Sequence, residues 1–139
     1  MDRHSYKVVM PLTSKHAAQV LHLYKQTWWA SDRNLAAAIK VIEGSDLNVG
    51  VLDINDQLIG YTRVITDGVE KAMIFDIIVD EQHQGKKMGQ LLLDTILNSE
   101  VCAQIKHIEL YCTEKMKTFY EKLGFIDIST EVRLLRLMK

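Results

Sequence analysis

The sequence predicts an α/β domain, a mixed and mostly antiparallel sheet flanked by helices, and three observations carry that prediction. Apolar, strand-like runs at residues 47–53, 58–65 and 71–79 are separated by polar turns, one of which holds Asp67-Gly68, a dipeptide that favours a tight hairpin. After Val79 the pattern passes through a polar, glycine-bearing stretch into helical spacing and returns to alternation at residues 105–112. Strand, loop, helix, strand is the usual connection between parallel neighbours, so these two strands should lie side by side in parallel. Finally, 139 residues with 47% apolar and 25% charged side chains suit one domain with a real core, and no repeat or linker divides residues 1–139.

Taken in order, residues 6–10 form a short β-like run closed by Pro11. Thr13 is placed to cap a helix whose apolar positions, Ala17, Val20, Leu21, Tyr24 and Trp28, share one face. Ser31 or Asp32 can cap a second helix through Leu35, Ala36, Ile39 and Ile42, with Gly44 placed for a left-handed stop. The three strand runs follow. Leu91, Leu92, Thr95 and Ile96 mark a third helix, and Ile108, Leu110 and Cys112 then alternate with His107, Glu109 and Tyr111 as in a strand. Met116, Phe119, Tyr120 and Leu123 give a short helix stopped by Gly124, and residues 125–128 and 132–138 are expected to supply closing strands. The order β-α-α-β-β-β-α-β-α-β covers essentially the whole chain.

Composition excludes several functions. Seventeen Lys and Arg against eighteen Asp and Glu leave a formal net charge of −1, without the basic excess that marks nucleic-acid binding, so no nucleic acid is expected as a partner. No apolar stretch is long enough for a signal peptide or a membrane span, which predicts no membrane partner and a cytoplasmic protein. Cys102 and Cys112 offer neither a disulfide framework nor metal spacing, and Cys112, on the apolar face of its strand, reads as a buried structural thiol. The five histidines show no H-E-x-x-H or other metal spacing, so no metal is expected.

Chemistry concentrates in Gln84-Gly85-Lys86-Lys87-Met88-Gly89, at the start of the third helix. A helix N-terminus presents unpaired N–H groups and a partial positive charge, and glycines let an anion approach the main chain. On residues alone the segment is either an anion-binding loop or an ordinary basic loop entering a helix. It is neither the G-x-x-x-x-G-K-[ST] nor the G-x-G-x-x-G nucleotide motif. It is similar to the Gln/Arg-x-x-Gly-x-Gly/Ala pyrophosphate loop of the GNAT superfamily of acetyl-CoA-dependent N-acetyltransferases, departing at Lys87, where that family has glycine. Phe119-Tyr120-Glu121-Lys122-Leu123-Gly124-Phe125 resembles the same family's C-terminal signature without departure. Loop, signature and element order together give the resemblance, and the GNAT fold is the expected architecture.

The resemblance implies acetyl-CoA as cosubstrate. It places the pantetheine arm along the main chain of Ile77, Ile78 and Val79, and the pyrophosphate on Gln84, Gly85, Lys86, Lys87, Met88, Gly89 and Gln90. Tyr120 matches the family tyrosine beside the coenzyme sulfur, which can protonate the departing thiolate. From spacing alone Tyr120 also reads as an aromatic packing beside Phe119 and Met116. The implied reaction is direct acetyl transfer to a primary amine of a small molecule or peptide, and the resemblance also implies a possible homodimer.

Asp76 interrupts an apolar strand, where a carboxylate rarely lies without a partner. It resembles an acidic position of polyamine-acetylating members, where carboxylates hold or deprotonate the amine, although the neighbouring family glutamate is Phe75 here. The base is then Asp76 or a water that it holds; the alternative is an Asp76–Arg63 ion pair. The acceptor side falls on Trp28, Trp29 and Arg33, between the first two helices. Adjacent tryptophans on a helix point in different directions, so one is expected in the core and the other along a cleft. Arg33 either binds an acidic group of the acceptor or pairs with Asp32 or Glu43. Two other functions fit the residues: a catalytically inactive CoA-binding or regulatory module of the same fold, and an interaction domain that docks through Trp28 and Trp29.

Overall fold

The computed structural model describes residues 6–139, so residues 1–5 of the expected domain lie outside the described residues. Five strands form one sheet in sequence order: β1 (Lys7–Val9), β2 (Leu47–Leu52), β3 (Leu58–Thr66), β4 (Lys71–Val79) and β5 (His107–Glu109). Pairings from β1 through β4 are antiparallel, and β4–β5 is parallel, as the strand-loop-helix-strand pattern predicts. The β3–β4 hairpin closes at Asp67, whose Oδ1 accepts the N–H groups of Val69 and Glu70, both at 2.8 Å. Gly68 there takes φ +83°, a conformation glycine adopts without steric cost.

Helices α1 (Ala17–Tyr24) and α2 (Leu35–Glu43) cover one face of the sheet; α3 (Met88–Leu97) and α4 (Lys117–Lys122) cover the other. Two cores result. Val49, Val51, Val64 and Ile74 pack with Leu92, Leu93 and Ile96, while Leu58, Tyr61 and Ile78 pack with Val20, Leu23, Tyr24 and Ile42. Covered on both sides, β2 is buried at every position. Ile74 and Ile78 would share a face in a regular strand, because side chains alternate with period 2. They lie in different cores because β4 bulges between them. Phe75 opposes Arg63 and Ile78 opposes Tyr61, so Asp76 and Ile77 together stand against Thr62, and Asp76 takes φ +56°.

Several expected boundaries are corrected. Helix α1 stops at Tyr24 instead of continuing to Trp28, because the Thr27 hydroxyl donates to the Tyr24 carbonyl at 2.8 Å and accepts from the Ala30 N–H at 3.1 Å, turning the chain. A short 3-10 turn, Ser14–His16, precedes α1, and Thr13 makes no side-chain cap bond. The cap of α2 is Asn34, whose Oδ1 accepts from the Ala37 N–H at 2.9 Å, rather than Ser31 or Asp32. Gly44, expected to be left-handed, is right-handed at φ −85°, whereas Gly124, which follows the last helix, takes φ +100°. Strand β5 spans three residues instead of eight. Residues 125–139 form no strand and pair with none of the five strands described, and Ile126, Leu134, Leu135, Leu137 and Met138 are exposed.

Candidate active site

The bulge sets the geometry of the site. β4 pairs with β5 only over Lys71–Met73, so its β5-facing edge along Ile77, Ile78 and Val79 carries no ladder, although the other edge continues to pair with β3. An unpaired strand edge is a row of free main-chain donors and acceptors. At the end of this open slot, Gln84 donates its side-chain N–H to the Val79 carbonyl at 3.2 Å, drawing the following loop over the strand.

That loop enters α3 through Gly85 at φ +80° and Lys87 at φ +63°. Lys87 thus stands in the left-handed conformation that explains a glycine at this place in the GNAT motif, and it accepts a strain of roughly 1–2 kcal/mol. It is the N-cap of α3 without a side-chain cap bond, and the first recorded bond of the helix runs from the Leu91 N–H to the Lys87 carbonyl at 3.1 Å. The N–H groups of Met88, Gly89 and Gln90, in the first turn, have no partner within the helix, and Lys86 and Lys87 precede them in the loop.

α4 forms the opposite lip. A Cβ on Gly89 would lie 3.6 Å from Phe119 Cζ, so α4 closes against the first turn of α3. Tyr120 is 9% exposed and joins the core of Met88 and Leu92, edge-on to Phe119 at 5.1 Å and to Phe125 at 5.9 Å. Its hydroxyl bonds to no residue among those described, and burial, with Cys112 adding, pushes its pKa up to about 12. The phenol therefore keeps its proton at neutral pH and has it free to give. Cys112 is exposed, correcting the expectation of a buried thiol, because β5 ends before it. Partial burial and the nearby carboxylates of Asp127, Glu114 and Glu121 push that thiol up, away from the thiolate a nucleophile needs.

On the α1–α2 face, Asp76 gathers a cluster. Its Oδ2 accepts from Arg63 Nε at 2.7 Å, the Tyr24 hydroxyl at 2.7 Å and Arg33 Nη1 at 3.0 Å. No described residue bonds its Oδ1. The Asp76–Arg63 pair is the alternative that the sequence offered; Arg33 pairs with Asp76 instead of Asp32 or Glu43, because the bulge brings Asp76 under the α1–α2 connection. Burial opposes the Arg33 charge but Asp76 outweighs it, holding the guanidinium above its ordinary value, and burial and then the Asp76 charge push the Tyr24 phenol up.

Arg33 lies 4.4 Å over the Tyr24 ring and 5.6 Å from that of Trp29, while Arg63 lies 4.8 Å over Phe75. Neither tryptophan is in the core: Trp29 is 40% and Trp28 83% exposed, since both fall in the turn after α1 rather than on the helix. The structure therefore joins Arg33 and Trp29 to Asp76 and leaves Trp28 apart. Tyr24 was missed in sequence because apolar spacing assigned it to the core; the available signal was a hydroxyl at the end of an apolar helix face.

Two surface hollows of about 260 Å³ each lie away from the slot, at the β3–β4 hairpin and beside His22 and Gln57. Among the described residues no cluster of three or more His, Cys, Asp or Glu is arranged to hold a metal, and no helix is long and apolar enough to cross a membrane.

The family model for the acetyltransferase (GNAT) domain matches residues 12–134. The chain belongs to the GNAT acetyltransferase family. Among curated relatives, GCN5-related N-acetyltransferase 2, chloroplastic, of Arabidopsis thaliana is 27% identical over 119 residues, which are 86% of this chain and 42% of that protein. Protein ElaA of Escherichia coli is 35% identical over 83 residues, 56% of this chain and 52% of ElaA. The chain thus spans about half the length of the curated relatives it matches. Among solved structures, a GNAT-family acetyltransferase from Streptococcus pneumoniae superposes with TM-score 0.77 at 22% identity, covering 96% of this chain and 98% of that one. Glucosamine-6-phosphate N-acetyltransferase from Arabidopsis thaliana gives 0.78 at 14% identity, covering 96% and 99%. At such identities the likeness shows the GNAT fold.

Proposed function

We propose that this protein is an acetyl-CoA-dependent N-acetyltransferase acting directly on a primary amine. The observation that carries the proposal is that Ile77 and Val79 of the unladdered β4 edge, Met88 at the uncapped start of α3 and Tyr120 pack in one cluster. These residues fit a CoA thioester. The N–H groups of Met88, Gly89 and Gln90, with Lys86 and Lys87, suit a pyrophosphate; the edge of Ile77, Ile78 and Val79 suits an amide-bearing arm. Acetyl-CoA, when bound, supplies the activated acetyl group as a thioester. Main-chain N–H groups at the bulge polarise the carbonyl, Tyr120 gives its proton to the departing sulfur, and Asp76 Oδ1 holds the amine. With two guanidiniums on its other oxygen, Asp76 serves as an acceptor that orients the amine, and the surplus proton passes to a water beside it.

The inactive-module reading rested on Lys87 and Phe75. Lys87 reproduces a glycine-like backbone and leaves the loop open, so that departure does not argue for inactivity. Release of free CoA across a broad panel of primary amines decides between the two readings. Substituting Gly89→Glu tests the loop itself. The new Cβ meets Phe119 at ordinary contact distance, and a carboxylate in the first turn favours the helix, so the fold should survive while the charge opposes the pyrophosphate. Acetyl-CoA affinity is expected to fall at least tenfold, about 1.4 kcal/mol, by calorimetric titration. An unchanged affinity in the folded variant would remove the loop from the site.

We further propose a homodimer joined through residues 125–139. Ile126, Ile128, Val132, Leu134, Leu135, Leu137 and Met138 are 41–86% exposed. Covering one such side chain is worth about 1.5–3 kcal/mol, so leaving all of them in water forgoes a free energy on the order of a whole domain's stability. A second copy supplies the same segment and a short, one-sided β5 edge. Sedimentation is expected to give a dimer that becomes a monomer when Leu135 and Leu137 are both replaced by Glu; a wild-type monomer at micromolar concentration overturns it.

A further inference from the structure

Resting on the acetyl-transfer site just proposed, we infer that the acceptor is an amine with an anionic group, carboxylate or phosphate, a few bonds away, bound between Asp76 and Arg33. The cluster is unbalanced. Arg33 and Arg63 both pair with the single carboxylate of Asp76, through the same oxygen, leaving one net positive charge in a half-buried site. Arg63 is held by two of its nitrogens, with Nε on Asp76, Nη1 on Ser45 Oγ at 3.3 Å and its plane over Phe75. Arg33 is not. Only its Nη1 is engaged among the described residues, its side chain is 26% exposed, and stacking on Tyr24 and Trp29 fixes its plane.

An arginine held flat by aromatic rings, with an unused pair of donors, is arranged to take an oxyanion through two parallel hydrogen bonds. The other free group of the cluster is Asp76 Oδ1, which suits an ammonium. A single 3.0 Å hydrogen bond joins the two anchors, so an acceptor using both must carry its amine and its acid close together, as an amino acid does. The same excess of positive charge opposes a polycation. This goes beyond the choice between acceptor classes that the fold leaves open, because it follows from which donors and which oxygen are already occupied.

The test uses matched pairs: glycine and glycinamide, phenylalanine and phenylalaninamide, O-phosphoethanolamine and ethanolamine, with spermidine as the cationic arm. Binding is read by tryptophan fluorescence with CoA present, since Trp29 adjoins Arg33, and turnover by CoA release. Acid-bearing members should bind at least tenfold tighter than their neutral partners, and the carboxylate and phosphate arms show which anion fits. Arg33→Gln should erase that preference without altering acetyl-CoA affinity, and Arg33→Lys should restore part of it, keeping the charge but losing the fork. Neutral amides or spermidine binding as well as the acids, or a preference that survives Arg33→Gln, overturns the inference. Anion preference without CoA release from any amine leaves this inference standing and overturns the acetyltransferase reading alone.

Discussion

Replacing Asp76 by Asn should leave acetyl-CoA affinity nearly unchanged and lower acetylation by about 10²-fold or more across neutral pH. The substitution keeps volume and tolerates the backbone, because Asn is among the few side chains that accept the left-handed φ of +56° at this bulge. It removes the charge that holds the amine. It also leaves Arg33 and Arg63 without their shared partner, and breaking a buried pair from one side costs about 3–5 kcal/mol; the low end applies here because Arg33 retains solvent contact. Thermal unfolding, calorimetric titration with acetyl-CoA and a rate profile against pH separate the two effects. A folded variant with wild-type rates at every pH would make Asp76 an anchor for the arginines and nothing more.

What sequence could foresee of this site follows from how local each feature is. The Asp67-Gly68 hairpin, the parallel β4–β5 pair and the loop into α3 are written in neighbouring residues, and each stands where spacing placed it. The bulge at Asp76 is not local. It depends on β3 and β4 keeping two different registers at once, so that Ile74 and Ile78 reach opposite cores, and nothing in the apolar run distinguishes that from a straight strand. Arg33 found Asp76 rather than a sequence neighbour for the same reason. The turn after Tyr24 shows a smaller version: one Thr27 hydroxyl overrode an apolar periodicity that ran on to Trp28. The tail was misread because alternation reports which faces are apolar, while a strand also has to pair with a neighbour, and residues 125–139 pair with none of the strands described.

Tyr120→Phe is expected to lower kcat by roughly 10²-fold, the usual scale for one general acid, with little change in acetyl-CoA affinity. The ring that packs against Phe119 and Phe125 is retained, and the hydroxyl makes no hydrogen bond within the described chain, so its loss orphans no partner and stability should change little. The pH dependence adds a second readout. Burial holds Tyr120 at about 12, so the wild-type protein should show no loss of kcat from ionisation of this group until the solution approaches that value. If instead an unshifted phenol near 10 donated the proton, the rate would begin to fall about two units earlier. Water can replace a missing hydroxyl in part, so the measurement is made under single-turnover conditions, where acetyl transfer itself sets the rate. A Phe variant that transfers acetyl at the wild-type rate there would assign Tyr120 to packing, and the proton for the departing sulfur would have to come from solvent or from another side chain lining the slot.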